Sequence, residues 1–152
     1  MPLTSTLSSL SKWFLIAVAL LFAAGCFQFG PIVPEEGSYV LRGIAYARRG
    51  QYDRAISYFT RSLEINPAFA AGYYYRGLAY MSKGQYEQAL SDFNRALDIN
   101  PSLTLAYEHR GQARKMMGDK EGARADLEKS IEYESNPSRK ARIQSILQEI
   151  DK

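Results

Sequence analysis

Residues that could do chemistry are scarce in this sequence, which contains a single cysteine, Cys26, and a single histidine, His109. One cysteine excludes an internal disulfide, and together the two residues are too few for the usual structural zinc sites. The sequence also lacks a glycine-rich phosphate loop, a paired-histidine metal motif and a serine-centred nucleophile elbow. A lone histidine in a helical segment is far more often structural or groove-lining than catalytic. We therefore expect no enzyme, no metal site and no cofactor.

Three arginines, Arg42, Arg76 and Arg110, recur at equal intervals along the chain. A row of guanidinium groups could bind an acidic or phosphorylated ligand through bidentate hydrogen bonds. The alternative is a structural row, which we favour because these arginines share the predicted core-facing stripe of each helix. Asp92 and Asp126 recur at matching places further along the chain and are the candidate partners.

The arginines belong to a longer unit that is repeated three times at the same interval. Each unit has a tyrosine before the arginine, a glycine directly after it and a large apolar residue further on. These residues are Tyr39, Tyr73 and Tyr107; Gly43, Gly77 and Gly111; and Phe59, Phe93 and Leu127. Gly-Gln-Tyr recurs at 50–52 and 84–86, and Asn-Pro closes the first two units. Within a unit, apolar and small residues fall at helical spacing on both sides of the middle glycine, which predicts a pair of helices.

This pattern resembles the tetratricopeptide repeat (TPR) family over about residues 36–137. The resemblance implies an all-α fold, a right-handed superhelical α-solenoid of three helix–turn–helix units at 35–67, 68–101 and 102–137. A single unit cannot bury its apolar face alone, so neighbouring units must stack. Arginine stands where the family usually has leucine before the glycine, and the third unit has Arg114 and Lys120 at two aromatic positions.

The periodicity predicts helices at 35–49, 52–65, 68–82, 86–99, 102–116 and 120–134. Pro67 and Pro101 suit the first turn of the helices that follow them. A seventh helix, within residues 138–152, has an apolar stripe that consists of Ile143, Ile146, Leu147 and Ile150. We interpret it as the C-terminal capping helix that a repeat array needs at an open end. A free amphipathic helix that binds a partner is the alternative.

The segment 1–25 has the pattern of a secretory signal peptide, in which Lys12 precedes an apolar run at 13–24. This run is short for a membrane span, which needs about 20 apolar residues. Residues 23–26, Ala-Ala-Gly-Cys, resemble a bacterial lipobox, whose cysteine becomes the first mature residue and carries acyl chains. The resemblance implies a lipoprotein-type signal peptide at 1–25, then a lipidated Cys26 and a linker at 26–34. A signal peptide without lipid and an uncleaved anchor remain alternatives.

In the TPR family, one face of each first helix lines a groove that binds partner segments. By this resemblance the candidate groove is apolar in the first two units and polar in the third. Its residues are Val40, Leu41, Ile44, Tyr74, Tyr75, Leu78, Met81, Glu108, His109, Gln112 and Lys115. We expect an apolar partner segment that the polar third unit orients. Unit stacking that simply covers these positions, or pairing of two copies, is the alternative.

Some TPR domains clamp the acidic tails of cytosolic heat-shock chaperones with lysine, asparagine and arginine. The matching residues here are Val40, Ile44, Tyr75, Leu105 and His109, so a carboxylate clamp is not expected. The net charge of +3 comes from 19 basic and 16 acidic residues that are interspersed. This near balance does not favour nucleic-acid binding.

These patterns predict a non-catalytic adaptor or scaffold that is tethered to the bacterial cell envelope and binds other envelope proteins or peptide segments. Bacterial TPR lipoproteins that resemble it act in pilus biogenesis or recruit cell-wall enzymes. In Gram-negative lipoproteins, an aspartate directly after the cysteine favours retention in the inner membrane. By this resemblance, Phe27 at that place implies an outer-membrane position facing the periplasm. The alternative function is a self-associating structural envelope protein, which would be a homo-oligomer.

Overall fold

The computed structural model describes residues 35–150, which form seven helices and no strand. In chain order these are α1 (Glu35–Ala47), α2 (Tyr52–Ile65), α3 (Ala70–Ser82), α4 (Tyr86–Ile99), α5 (Thr104–Met116), α6 (Lys120–Tyr133) and α7 (Pro137–Ile150). The predicted number and order of helices are confirmed. None of the seven has the length and hydropathy needed to span a membrane. The predicted signal peptide at 1–25 and the lipidated Cys26 with its linker at 26–34 lie outside the described residues.

Two helices begin two residues later than predicted, α3 at Ala70 and α5 at Thr104. Pro67 and Pro101 therefore lie in the turns before these helices rather than in their first turns. In the first of these turns, Oδ1 of Asn66 accepts a hydrogen bond from the backbone N–H of Ala68 at 3.0 Å. The same turn recurs one unit later. An asparagine turn of this kind holds the backbone outside the helical conformation. Pro137, by contrast, is the first residue of α7.

Each unit is a pair of helices whose connection and close approach both depend on glycine. Gly50, Gly84 and Gly118 follow the first helices with φ of 73°, 74° and 84°, a left-handed conformation that other residues rarely adopt. Within the second unit, a Cβ atom on Gly77 would lie 2.8 Å from Cε1 of Phe93. The helices therefore approach as closely as the small residues in the sequence predict.

The hydrophobic core runs across the boundaries between units. Phe59 of α2 shares a cluster with Ala79 of α3, and Phe93 of α4 shares one with Ala106 of α5. At the end of the array, α7 continues the pattern, since Ile143, Ile146, Leu147 and Ile150 cluster with Ala123 and Leu127 of α6. Burial of one aliphatic side chain of this size stabilises the fold by about 1.5–3 kcal/mol. The fold is thus an all-α solenoid of three helix pairs that α7 caps, as predicted.

These core clusters lie wholly within residues 40–150. A segment that contains its own hydrophobic core can fold alone. We therefore expect residues 35–152 to fold without the residues that precede them.

The arginine row forms an ion pair within a unit and a hydrogen bond to the unit before it. Arg76 donates from Nε and Nη2 to the two carboxylate oxygens of Asp92, both at 2.8 Å, and from Nη1 to Oγ1 of Thr60 in the preceding unit at 3.2 Å. Arg110 repeats this arrangement with Asp126 and with Asn94 of the preceding unit. The predicted structural role and the predicted aspartate partners are confirmed for these two arginines.

Arg42 departs from the row. Tyr58 stands at the place that Asp92 and Asp126 occupy in the later units, and no unit precedes the first one among the described residues. The Arg42 side chain is exposed and lies over the ring of Tyr39 at 6.0 Å from its centroid. Its predicted inclusion in a core-facing row is therefore wrong, because the first unit supplies no carboxylate to hold it there.

Candidate partner-binding groove

The first helices of the three units, α1, α3 and α5, are neighbours and present equivalent positions, one in each repeat. One of these positions is buried in every unit, with exposed fractions of 5 % for Val40, 7 % for Tyr74 and 1 % for Glu108. The structure corrects the interpretation of these three residues as groove-surface residues. The position lies between stacked units, so its side chain packs against neighbouring elements instead of facing solvent.

Tyr74 shows this burial most clearly. Its ring centroid lies 6.2 Å from that of Phe93 and 5.7 Å from that of His109, so the ring is shared between the second and third units. Burial raises the pKa of the Tyr74 hydroxyl above its ordinary range. Tyr74 is therefore a core residue, and the assignment of this side chain to the non-core face of α3 is wrong.

Glu108 is held by the capping helix. Its carboxylate accepts hydrogen bonds from Nη2 of Arg142 at 2.6 Å and from Nη2 of Arg139 at 3.2 Å, both on α7. Lys115, two turns further along α5, pairs with Glu149 of α7 at 3.0 Å. The polar side chains of the third unit thus attach α7, which the sequence prediction did not anticipate.

His109 has a structural environment. Its Nδ1 donates to the backbone carbonyl of Leu105 at 2.8 Å, and the Tyr74 hydroxyl lies 3.4 Å from the same nitrogen. Burial lowers the pKa of His109, so the ring is neutral at neutral pH. The hydrogen bond to the backbone of its own helix fixes the orientation of the ring and places its proton on Nδ1.

The surface between the first two units contains an apolar depression of about 290 Å³. Ile44 of α1 and Tyr75 and Leu78 of α3 line it, so three predicted groove residues converge there. The ring of Tyr75 stacks on Phe59 beneath it, with centroids 6.0 Å apart. Arg48 places a positive charge at the same depression. This depression can accept an aliphatic or aromatic side chain.

A second depression, of about 410 Å³, lies between the second unit, the third unit and α7. Met81, Gln112 and Lys115, also predicted groove residues, line it together with Ile146 and Glu149 of α7. Its lining combines apolar side chains with the ion pair between Lys115 and Glu149. The candidate groove therefore continues past the third unit onto the capping helix.

Several lining residues were missed by reasoning from the sequence. Tyr52 and Tyr86 begin the second helices of the first two units, one in each depression. Their recurrence at the repeat interval was visible, but periodicity alone does not show on which side of the turn they lie. The sequence did not indicate that Ile146 lines the groove, because this residue belongs to the apolar stripe of α7 that predicts burial.

The remaining predicted site residues lie elsewhere. Leu41 is 60 % exposed and lines neither depression, because no preceding unit covers its side of α1 among the described residues. Cys26, the predicted lipidation site, lies outside residues 35–150. Its proposed modification therefore rests on the sequence.

Comparison with known proteins agrees with this architecture. Sequence profiles of the tetratricopeptide repeat match residues 38–69, 70–103 and 105–137, which together make up well over half of the chain. The chain belongs to the tetratricopeptide repeat family. The comparison with curated proteins gives no significant match.

Solved TPR structures resemble this TPR protein closely. The Sgt2 TPR domain of Aspergillus fumigatus is 33 % identical, with a TM-score of 0.72 and coverage of 78 % of each chain. The first TPR domain of Spaghetti (RPAP3), solved with the HSP90 peptide SRMEEVD, is 30 % identical, with a TM-score of 0.71 and coverage of 76 % of this chain and 90 % of that one. The type III secretion chaperone SycD of Yersinia enterocolitica shares the fold, with a TM-score of 0.73 at 16 % identity over 85 % of this chain and 90 % of that one.

Proposed function

We propose that this TPR protein is a non-catalytic adaptor that binds an apolar segment of a partner protein in the groove of its repeats. The observation that carries the proposal is the pair of depressions along the first helices. One is lined by Ile44, Tyr75 and Leu78, and the other by Met81 and residues of α7. An apolar depression, followed on the adjoining units by one that combines apolar and charged side chains, suits a segment that inserts two side chains.

The chemistry of the lining distinguishes this groove from one that holds acidic tails. The RPAP3 domain was solved with a peptide that ends in Glu-Glu-Val-Asp. At the positions of a carboxylate clamp, this chain has Val40, Ile44, Tyr75, Leu105 and His109, of which Val40 is buried and His109 is neutral. Cationic side chains are needed to bind a cluster of carboxylates, so the proposed segment is apolar instead.

The proposed location is the bacterial cell envelope. The apolar run at 13–24 and the lipobox-like sequence that ends at Cys26 support attachment through lipid on this cysteine. Phe27 supports an outer-membrane position facing the periplasm. An adaptor in this place would hold other envelope proteins in an assembly, such as one for pilus biogenesis or for recruitment of cell-wall enzymes.

A pull-down of envelope proteins with residues 27–152 as bait tests whether the groove binds the partner. The wild-type fragment is compared with the double variant Ile44→Ala with Leu78→Ala. Both side chains are only partly buried, so we expect the melting temperature to change little. Anchors of this kind contribute about 2 kcal/mol each to binding, so the double variant should lose capture. Ile65→Ala is the matched control, because Ile65 is an exposed apolar residue that lines neither depression.

Two results would contradict the proposal. The first is a folded double variant that captures the same proteins as the wild type. The second is a wild-type fragment whose mass in light scattering corresponds to an oligomer that the same substitutions dissociate, since the groove would then join copies of the chain.

A further inference from the structure

The first unit carries an arginine that lacks the carboxylate partner found in the later units. Arg42 is equivalent to Arg76 and Arg110, but Tyr58 replaces the aspartate that binds those two. Within residues 35–150, Arg42 forms no ion pair. Its guanidinium lies instead over the ring of Tyr39. The guanidinium that is paired with a carboxylate in the second and third units is therefore exposed and charged in the first.

Aromatic rings connect this arginine to a second one. The ring of Tyr58 lies 6.3 Å from that of Tyr39 and stacks on that of Tyr46 at 5.1 Å. Arg54 of α2 lies over the Tyr46 ring at 5.7 Å from its centroid. The five residues form one continuous surface, which we name the Arg–Tyr patch: Tyr39, Arg42, Tyr46, Arg54 and Tyr58.

The charge of the Arg–Tyr patch is specific to the first unit. The residues equivalent to Arg54 in the later units are Gln88 and Gly122, neither of which is charged. Two acids of α2 are paired with other cations, since Asp53 pairs with Lys83 at 2.5 Å and Glu64 pairs with Arg61 at 2.7 Å. Within residues 35–150, neither Arg42 nor Arg54 forms an ion pair, so the patch presents two positive charges between tyrosine rings.

We propose that the Arg–Tyr patch binds the surface of a bilayer that contains anionic phospholipids. Tyrosine rings favour the headgroup level of a membrane, where an apolar ring and a polar hydroxyl are both satisfied. Guanidinium groups form bidentate hydrogen bonds with phosphate, and each basic residue near an anionic surface strengthens binding about fivefold. Both residue types of the patch therefore match one surface.

The position of the patch in the chain agrees with this partner. It lies in the unit next to the linker at 26–34, whose nine residues reach at most about 30 Å. If the tether under the proposed function is correct, the first unit is held within that distance of the membrane. Contact through the patch would orient the solenoid, although lipid binding by the patch does not itself require the tether.

Binding of residues 27–152 to vesicles tests the inference. We expect sedimentation with vesicles of phosphatidylglycerol and phosphatidylcholine, but not with phosphatidylcholine alone, and weaker binding at high salt. Arg42→Gln with Arg54→Gln should weaken binding about 25-fold, from about fivefold for each arginine. The charge-matched control is Arg95→Gln with Lys120→Gln, which also removes two exposed positive charges but outside the patch.

A single substitution tests the role of the Arg42 charge more directly than the double variant. Tyr58→Asp recreates in the first unit the pair that Asp92 forms with Arg76, so it should neutralise Arg42 and reduce vesicle binding while circular dichroism remains unchanged. Vesicle binding that is equally weakened by the control pair would overturn the inference, as would equal binding to both kinds of vesicle. Binding of a single-stranded oligonucleotide with the same sensitivity to these variants would also overturn it.

The two proposals fail independently. Variants of the Arg–Tyr patch should capture the same proteins as the wild type, because no patch residue lines either depression. The groove variant Ile44→Ala with Leu78→Ala should bind vesicles normally. Loss of capture in the patch variants would show instead that the patch belongs to the partner-binding site and would overturn the assignment to lipid.

Discussion

Arg76 stands where the TPR family usually has leucine, and its contacts account for the difference. The guanidinium binds Asp92 within its own unit and Thr60 in the preceding unit, and it lies over the ring of Tyr73 at 5.5 Å. Leucine could fill part of this space but could form none of these hydrogen bonds. The arginine therefore joins two units through charge-assisted hydrogen bonds as well as through packing.

Arg76→Ala is expected to lower the free energy of unfolding by about 3 kcal/mol, because Asp92 would remain buried without a partner. Arg42→Ala is the matched control, since Arg42 has the same helix position but is exposed, and its effect should stay within about 0.5 kcal/mol. Urea unfolding followed by circular dichroism measures both. Equal losses in the two variants would contradict the role of the ion pair.

His109 is expected to make the domain less stable in mild acid. Burial lowers its folded-state pKa below the ordinary value of about 6.5, so the unfolded chain takes up the proton first as the pH falls. The stability that is present above about pH 6.5 therefore declines as the pH falls through the lower folded-state pKa.

His109→Gln removes the titrating group and should remove this decline between about pH 7 and about pH 5. The free energy of unfolding of both proteins over that range is the measurement. A wild-type protein whose stability does not change over this interval would contradict a folded-state pKa shifted by burial.

At the scale of elements, the composition of each helix follows from how many neighbours it has. The middle first helix, α3, contacts α1 on one side and α5 on the other, and its only charged residue is Arg76. A helix that is apolar on most sides is stable in water only when neighbours cover it. The capping helix α7 has one neighbouring unit, and it presents an apolar stripe to α6 and ionic groups to α5.

Ile143→Ala is expected to lower the free energy of unfolding by about 2–5 kcal/mol, because the side chain is fully buried between α7 and α6. Gln144→Ala, at the adjacent exposed position, should change it by less than about 0.5 kcal/mol. Deletion of residues 138–152 would also leave Glu108 buried without its two arginines, so the truncated domain should unfold or aggregate. Unchanged thermal unfolding of the truncated protein would show that α7 is not a cap.

At the scale of the whole molecule, stacking creates surfaces that no single unit contains. Each depression of the groove takes side chains from at least two units, whereas the Arg–Tyr patch lies within the first unit, which no unit precedes among the described residues. Under the two proposals, one surface holds a partner segment while the other contacts a membrane. An adaptor needs two separate contact surfaces of this kind.

Cys26→Ser is expected to abolish acylation and to leave the precursor unprocessed or released from the membrane. A single acyl chain attaches a protein to a membrane only marginally, whereas two or more hold it stably. Loss of the modified residue should therefore remove stable membrane attachment. Labelling of cells with a fatty-acid analogue, followed by membrane fractionation, measures both effects. Labelling that persists in the variant would contradict lipid attachment at Cys26.

The sequence by itself determined the repeat, the seven helices and the two arginine–aspartate pairs, because these depend on local spacing within a helix or a helix pair. Arg76 and Asp92 lie within one helix pair, whose geometry the repeat predicts. The capping helix was also predictable, since an apolar stripe at helical spacing needs a surface on which to pack.

Only the tertiary structure decided which side chains the groove presents. Tyr74 and Tyr75 are adjacent and chemically identical, yet one is buried and the other lines a depression, because the direction of stacking selects between them. The sequence predicts Glu108 to be a polar groove residue, but in the structure it is bound by Arg139 and Arg142 of α7, about 30 residues further along the chain. Burial at these positions depends on contacts between units, and the periodicity within a unit carries no information about them.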